Sequence, residues 1–531
     1  MTNTVDYIVI GAGSAGCVLA NRLSADGKHQ VALLEAGPSD WNPWIHVPVG
    51  YFKTMHHPAT DWCYTTQADP GINDRTLKWP RGRVLGGSSS INGLLYVRGQ
   101  RQDYDRWAEL GCNGWSYQDV LPYFKKAENQ SRGGDDYHGT DGPLHVSDMT
   151  FKRDICDDFI NGVVETGTPA SADINGYDQE GVGYYQLTAH KGRRCSTAVA
   201  YLKPARSRNN LQVLTNSQAT KILFEDQTAK SVEFLKKGKP ETLHASKEII
   251  LCGGAINSPQ LLQLSGVGPS ALLKQHGIDV IADARDVGEN LQDHLQLRTV
   301  YKTTKPNTLN DELSNIFQKT RAGIEYVMRR SGPLSMAASQ VYAFCRTKLA
   351  NERPDIQYHF QPLSADSPGE GLHPFSAITA SVCQLRPESR GHIRIQSADP
   401  LQHPLITPNY LSTDLDRQTA VESIKHVRKI MATDAMRPHI AAEHLPDSAA
   451  QTDEELLQQA REIANTIYHP TSTCRMGSDS NAVVDAQLRV NKVKNLRIAD
   501  ASIMPEIVSG NTNAPTIMIG EKAADMILNP A

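Results

Sequence analysis

The chain has 531 residues, 39% of them apolar, and a formal net charge of −4, which is typical of a globular protein large enough for two domains. No block of five or more basic residues supports nucleic-acid binding. The start, MTNTVDYIVIGAG, lacks the cationic stretch of a secretory signal, and no apolar run is as long as a membrane span. We therefore expect a cytoplasmic protein without an integral membrane segment, for which peripheral contact with the inner face of a membrane stays open.

The nine cysteines form no C-x-x-C pair and no His/Cys cluster with the spacing of zinc ligands. This pattern predicts reduced, scattered structural thiols. It also predicts that the chain has no metal site.

The order of apolar segments predicts a discontinuous nucleotide-binding domain. Strand, glycine loop, helix and strand follow one another in the first 37 residues, and KEIILCGGA and NLRIADAS resemble further buried parallel strands. Residues 38–115 are rich in Pro, Gly, Trp and Asn and predict long ordered loops. From about 300 to 460, alternating strands such as IQYHFQ and HIRIQS mix with amphipathic helices. We expect one domain from residues 1–155, 192–300 and 465–531, and an α+β domain built on an antiparallel sheet from 156–191 and 301–464.

A G-x-G-x-x-G loop joins the first predicted strand to the first helix. Gly11 permits a tight turn, Gly13 lets the backbone approach a pyrophosphate, and Gly16 lets the helix pack closely on the strand. The start of the helix offers unpaired N–H groups to phosphates. Glu35, at the end of the next strand, can accept hydrogen bonds from a ribose and disfavours a 2′-phosphate. The loop predicts a dinucleotide site but does not distinguish FAD from NAD.

Four further segments carry a family resemblance. RGRVLGGSSSINGLLYVRG, GGAINSPQLLQLSGVGP, YHPTSTCRMG and IADASIMPEIVSGNTNAPTIMIGEKAADMI occur in this order along the chain. Together with the glycine loop they closely resemble the glucose–methanol–choline (GMC) oxidoreductases, and most closely the bacterial FAD-dependent alcohol dehydrogenases, including alkanol and choline dehydrogenases. The resemblance implies an FAD-binding Rossmann-like α/β fold with an inserted substrate domain. It also implies oxidation of an alcohol at the expense of FAD.

The resemblance also implies which residues contact FAD. Besides the three loop glycines and Glu35, the expected contacts are Ser14, Ala15, Ala36, Arg83, Gly87, Ser88, Asn92, Gly93, Leu95, Tyr96, Ala219, Asp500, Ala501, Asn511 and Thr512. In relatives with covalently attached flavin, a histidine can stand just before the asparagine that matches Asn92. Ile91 occupies that position here and has no nucleophile, so we expect dissociable FAD.

Two further residues are identified by the resemblance as the redox pair. Removal of hydride from an alcohol needs a base for the hydroxyl proton, and histidine is the commonest base at neutral pH. The family places that histidine in the segment matching YHPTSTCRMG, which is His469, and its partner in GNTNAPT, which we assign to Asn513. An amide can orient the substrate oxygen, although Asn513 can also simply cap the helix that follows. The expected reaction is proton transfer to His469 and hydride transfer to flavin N5, and the resemblance directs the positive end of that helix towards the flavin N1/C2=O edge.

The alcohol itself is poorly defined by the sequence. Related choline dehydrogenases often carry glutamate at the position that aligns with Gln340, which favours a neutral primary alcohol, aliphatic or aryl, over choline. Tyr342, Phe344, His359 and Phe360 are pocket candidates, although their pattern is more typical of core strands. The electron acceptor is O₂ or a quinone. Other interpretations are an FAD-dependent lyase, a nonenzymatic FAD-binding protein and an NAD-dependent alcohol dehydrogenase.

Overall fold

The structure, a computed structural model, describes residues 4–366 and 371–530. Residues 1–3 and 531 of the predicted nucleotide-binding domain, and residues 367–370 of the predicted α+β domain, lie outside the described part. Two seven-stranded sheets dominate the molecule. In spatial order, the strands of the first sheet are Leu211–Leu214, Val31–Leu34, Thr4–Ile10, Lys239–Leu251, Thr228–Lys236 and Ser217–Glu225, with Leu496–Ile498 paired to Lys239–Leu251.

The first sheet has a parallel half that carries the dinucleotide loop. Thr4–Ile10 lies between Val31–Leu34 and Lys239–Leu251, and both neighbours run parallel to it. These strands are almost fully buried, which explains their continuous apolar sequences. The predicted strands at KEIILCGGA and NLRIADAS are confirmed, because Ile249–Leu251 pairs in parallel with Leu496–Ile498.

Helices pack on both large sheets. Those of eight or more residues in the described part of the chain are Ser14–Leu23, Arg101–Glu109, Tyr117–Ala127, Asp154–Glu165, Gly254–Leu264, Ile316–Arg329, Asp414–Met431, Asp453–Ile463 and Asn513–Leu528. Shorter ones are Pro43–His46, Tyr51–Thr54, Lys203–Ala205, Ser270–Gln275 and Leu309–Glu312. Residues 38–115 therefore contain more regular structure than the predicted loops, since Pro and Gly flank short helices there.

The first and last long helices pack directly on each other, although they lie at opposite ends of the sequence. A Cβ added to Gly520 would lie 3.0 Å from the Cα of Ala15, so a small residue allows the close approach. Arg22 donates to both carboxylate oxygens of the fully buried Glu521, at 2.9 and 2.7 Å. This contact holds the last helix against the first one. The first residue of the last helix, Asn513, lines the cavity described below.

The second sheet is antiparallel. In spatial order its strands are Ile440–Leu445, Leu295–Thr303, Ala377–Gln384, Ile356–Gln361, Val341–Cys345 and Gly181–Tyr184, with Ala464–Thr466 also paired to Leu295–Thr303. This sheet starts before the predicted domain boundary at residue 300 and extends past the one at 464. HIRIQS forms only the short strand His392–Arg394, which pairs with Leu405–Thr407 outside this sheet.

The remaining strands form small sheets around the two large ones. They are Tyr64–Thr65 with Lys78–Trp79; Glu128–Gln130, Leu144–Asp148 and Gln186–Leu187; Ala189–His190 with Arg193–Arg194; and Val267–Gly268 with Ala282–Asp283. The nine cysteines are free thiols. Within residues 4–366 and 371–530, every helix is too short or too polar to cross a membrane, and His, Cys, Asp and Glu side chains form no cluster that could hold a metal ion.

Candidate active site

One long cavity extends from the glycine loop to the inner face of the antiparallel sheet. Ile10, Leu34 and Leu251, at the carboxyl ends of three parallel strands, line its first part. Gln296, Arg298, His359 and Gln361, on two strands of the second sheet, line its far part. The cavity therefore lies at the carboxyl edge of the parallel strands, where open α/β sheets bind ligands.

The three loop glycines differ in their surroundings. Gly11 has φ +100°, and a Cβ there would lie 2.5 Å from the Cys252 carbonyl oxygen. A Cβ at Gly16 would lie 1.8 Å from the Gly11 carbonyl oxygen, so this glycine serves packing and does not line the cavity. At Gly13 a Cβ would meet no atom closer than 3.9 Å, and the residue faces the cavity. The space beside Gly13 is thus left for a ligand.

Glu35 lies beside this loop with its carboxylate facing the cavity. Its two oxygens accept hydrogen bonds from the backbone N–H groups of Ala12 and Gly37, at 2.9 and 2.8 Å. Burial raises the pKa of Glu35 to about 7, although both N–H groups favour the ionised form. These contacts hold the side chain in one orientation and leave further lone pairs for a ribose.

The second glycine-rich segment packs against the first. Gly87 has φ +52°, and a Cβ there would lie 2.6 Å from the Gly13 Cα, so the two loops come together without side chains. Asn92 is held by Arg194, a buried residue that the sequence analysis missed, which donates to its Oδ1 and its carbonyl oxygen, both at 2.7 Å. Arg194 is the second of two consecutive arginines in a short hairpin, and this pattern gives no signal of a buried role.

Most of the predicted FAD contacts line this cavity. They are Gly11, Gly13, Ser14, Ala15, Glu35, Ala36, Gly87, Ser88, Asn92, Gly93, Leu95, Ala219, Asp500, Ala501, Asn511 and Thr512. Three predicted contacts lie elsewhere. Gly16 is at the packing contact described above, the Arg83 guanidinium lies 5.1 Å from the ring centroid of Trp62, and the Tyr96 hydroxyl is buried against Arg98. Tyr96 is 2% exposed and belongs to the core that is built around the first sheet.

Asp500 connects two further parts of the lining. Its Oδ2 accepts from the Gly254 N–H and the Ser258 hydroxyl, at 2.8 and 2.6 Å, and its Oδ1 accepts from the Ser502 N–H. The residue thereby ties the start of helix Gly254–Leu264 to the turn after Leu496–Ile498. Its carboxylate is buried and lines the cavity.

His469 lies at the far end of the cavity. Two consecutive residues that the sequence analysis missed, Asp293 and His294, hold it there. Its backbone N–H donates to Asp293 at 2.7 Å, and its Nδ1 lies 3.0 Å from Nδ1 of His294. Nε2 of His294 lies 2.9 Å from the Leu385 carbonyl oxygen, which can only accept. His294 must therefore carry its proton on Nε2 and present a lone pair at Nδ1. His469 in turn donates from Nδ1, which leaves its Nε2 unprotonated.

The amide that contacts His469 is Asn511 and not Asn513, which corrects the predicted pair. Nδ2 of Asn511 lies 3.1 Å from Nε2 of His469, while its Oδ1 accepts from Gln357 at 3.2 Å. Asn513 instead accepts from the Ser14 hydroxyl at 2.7 Å. Asn511 precedes the last helix and Asn513 is its first residue, so their side chains point in different directions. The Gln357 contact orients the Asn511 amide with its N–H groups towards His469.

Burial lowers the pKa of His469 well below 6.5, and nearby His294, His359 and Arg81 lower it further. Burial also lowers the pKa of His294 to about 4. Both imidazoles are thus neutral at physiological pH. The neutral state is the one that the hydrogen-bond chain requires.

The specificity candidates from the sequence divide between core and cavity. His359 lines the cavity, whereas Tyr342, Phe344 and Phe360 are buried in the core, as their pattern indicated. Gln340 is also fully buried, and it contacts Cys156 and Met336 instead of the cavity.

The cavity wall carries an unusual cation. Arg298 is 5% exposed, its Nε has no hydrogen-bond partner among residues 4–366 and 371–530, and Nη2 reaches the Ala365 carbonyl oxygen at 3.4 Å. Arg81 also lines the cavity and donates to the Tyr468 carbonyl oxygen. The carboxylates in the lining, as far as the chain is described, are Glu35 and Asp500, which lie beside the glycine loop and helix Gly254–Leu264.

Comparison with known proteins agrees with this architecture. Residues 5–296 and 387–520 match the N- and C-terminal family models of the GMC oxidoreductases. The alcohol dehydrogenase [acceptor] of Pseudomonas putida is 43% identical, over 98% of this chain and 95% of that protein. Human mitochondrial choline dehydrogenase is 44% identical, over 98% of this chain and 89% of that protein. A formate oxidase of Aspergillus oryzae RIB40, whose structure was determined to study FAD modification, has 26% identity and a TM-score of 0.92, over 99% and 98% of the two chains.

The fold and cavity define a flavin-dependent oxidoreductase that acts on alcohols. The chain belongs to the GMC oxidoreductase family, and its cofactor is FAD. The lining fits this cofactor, since the space at Gly13, the carboxylate of Glu35 and the start of helix Ser14–Leu23 suit a pyrophosphate and a ribose.

We expect the FAD to be bound without a covalent link. Ile91 lines the cavity with an apolar side chain, and burial keeps the Cys252 thiol, also in the lining, protonated by raising its pKa. Acid precipitation of the yellow protein should release all flavin into the supernatant, where its absorbance is compared with that of a urea-treated sample. A washed pellet that stays yellow would contradict this expectation.

Proposed function

We propose that the chain oxidises a neutral primary alcohol, aliphatic or aryl, to the aldehyde, with His469 as the base. The observation that carries the proposal is the contact between the unprotonated Nε2 of His469 and the Asn511 amide, in the same cavity as the dinucleotide loop. A hydroxyl inserted between these two groups can donate to Nε2 and accept from the amide. Bound FAD supplies the oxidant that accepts the hydride from the carbinol carbon.

Each protein group has a separate task in this proposal. His469 takes the hydroxyl proton at Nε2, and His294 holds the imidazole in the tautomer that makes Nε2 available. Asn511 donates to the developing alkoxide and fixes its orientation. Asn513 and Thr512 begin the last helix at the cavity, and the positive end of that helix favours negative charge there.

The charges in the lining support a neutral substrate over choline. A quaternary ammonium would have to lie near the guanidinium of Arg298, which forms no salt bridge with a carboxylate of the described residues, while Glu35 and Asp500 already hold backbone N–H groups. Choline oxidation is the second candidate. Tyr51, Trp62 and Tyr468 line the cavity and could face a cationic headgroup.

An anaerobic titration with a panel of alcohols tests the substrate class. We expect aliphatic and benzylic primary alcohols to bleach the flavin at concentrations at least about tenfold lower than choline, because choline is repelled by Arg298. Arg298→Gln removes that charge, so the concentration of choline needed to bleach the flavin should come closer to that of the neutral alcohols. Bleaching by choline alone would contradict the proposal, and the absence of bleaching by any alcohol would favour a lyase or a binding protein.

His469→Ala should lower the limiting rate of anaerobic flavin reduction by roughly 10²–10⁴-fold, because the hydroxyl proton loses its acceptor. FAD content, read from the absorption spectrum, should stay unchanged. The matched control is His57→Ala, at an exposed histidine outside the cavity lining. Equal rates in the two variants would exclude His469 as the base.

His294 acts through His469, so its replacement should have a smaller and chemically selective effect. His294→Leu leaves the His469 proton free to occupy either nitrogen and should slow flavin reduction roughly 10–100-fold. His294→Gln, which can accept from His469 and donate to Leu385, should recover most of the rate. If Gln and Leu variants with equal melting temperatures and FAD content were equally slow, the tautomer would not be the reason.

The electron acceptor is O₂ or a quinone. The P. putida relative is named as a dehydrogenase that uses an acceptor, and this name leaves both candidates open. Hydrogen peroxide measured during turnover in air distinguishes the two: stoichiometric peroxide identifies an oxidase.

A further inference from the structure

Helix Ile316–Arg329 has an exposed apolar face that points away from the protein. Five apolar side chains on it are 60–83% exposed: Ile316, Phe317, Ile324, Val327 and Met328. At about 3.6 residues per turn they fall within an arc of about 120°. Ala322 and Tyr326, the buried residues of the helix, lie on the opposite side. A surface helix of a globular protein normally has the reverse arrangement.

Basic residues flank this apolar face. Lys319 lies on one side of the arc and Arg321 on the other, and both are exposed. Arg329, the last residue of the helix, and Arg330, which follows it, are also exposed. Glu325 is the one acidic residue of the helix, and it is half-buried and accepts from Ser331. The chain as a whole has a net charge of −4. The helix therefore combines an apolar stripe with a local positive charge that the rest of the protein does not share.

Exposed tryptophans occur in a neighbouring segment. The Tyr326 hydroxyl donates to the Gly192 carbonyl oxygen, and Arg194, two residues later, donates to the Ile45 carbonyl oxygen. Trp41 and Trp44, just before Ile45 in the sequence, are 81% and 42% exposed. Tryptophan is the residue most typical of the boundary between lipid and water.

We propose that this helix docks the protein on an anionic lipid bilayer, lying in the plane of the membrane surface. Its apolar arc would enter the boundary between headgroups and acyl chains, and Lys319 and Arg321 beside the arc would contact acidic headgroups. A second copy of the chain fits less well. A two-fold interface would bring the same basic residues of both copies together. The inference stands on the surface alone and does not depend on the proposed reaction.

The docking surface adjoins the cavity. The turn Pro333–Ser335, which follows the helix, contacts Pro48–Gly50. The next residues along the chain, Tyr51 and Phe52, line the cavity. Docking would thus bring the lipid phase close to the substrate end of the molecule.

Co-sedimentation of the FAD-loaded full chain with vesicles tests the proposal. We expect binding to vesicles of equal parts phosphatidylcholine and phosphatidylglycerol, at least about tenfold weaker binding to phosphatidylcholine alone, and weakening by salt. Phe317→Ser with Met328→Ser should reduce binding about tenfold or more, and so should Lys319→Glu with Arg321→Glu. The matched controls are Tyr177→Ser with Leu401→Ser, exposed apolar residues elsewhere, and Arg285→Glu.

Unchanged FAD content and melting temperature would show that the variants are folded, as the exposure of these side chains leads us to expect. Absence of binding to either vesicle would overturn the proposal, and so would equal losses in the helix variants and the controls. Sedimentation velocity provides the last arm. A dimer that Phe317→Ser abolishes would assign the face to a second copy and overturn membrane docking.

Discussion

The hydrogen-bond chain from Leu385 through His294 to His469 decides which atom of the cavity can act as a base. The carbonyl oxygen at its end has only lone pairs, so each imidazole is left with one protonation pattern. A neutral imidazole free to choose its tautomer would present a lone pair at Nε2 only part of the time. Here the backbone of a β-strand end fixes that choice, and the chemistry follows from it.

This chain of contacts depends on both large sheets being in place. Asp293 and His294 directly precede the strand Leu295–Thr303, and Leu385 directly follows the strand Ala377–Gln384. These two strands pair with each other in the antiparallel sheet. Asp293 also accepts from the Thr466 hydroxyl at 2.6 Å, which holds the segment leading to His469. Register errors in the antiparallel sheet would therefore displace the His469 imidazole. The site is built on strand ends, which are more rigid than loops.

The sequence predicts best where function depends on local backbone geometry. Gly11, Gly13 and Gly16 can be assigned separate roles because a strand, a tight turn and a helix follow directly on one another. Side-chain direction is harder. Asn511 and Asn513 are two residues apart at the start of a helix, and only tertiary contacts to Gln357 and Ser14 separate their roles.

Hydrogen bonds between residues far apart in the sequence could not be predicted either, because they too depend on tertiary contacts. His294 lies 175 positions from His469, and Arg194 lies 102 from Asn92. Neither residue sits in a pattern that reveals its partner. Gln340 and Tyr96 show the opposite error. The sequence predicts a site role for each of them, but both side chains are buried and neither lines the cavity.

The electrostatics of the far end of the cavity suit a substrate that brings no positive charge of its own. Oxidation of an alcohol passes through an oxygen that becomes negative, and a nearby cation stabilises it. Choline would supply that cation itself. In the proposed reaction Arg81 and Arg298 would supply it from the protein, and Arg81 also lowers the pKa of His469. The same positive charges would make the imidazole a weaker base and the alcohol a stronger acid, so in this proposal the alkoxide is stabilised without a positive charge on the substrate.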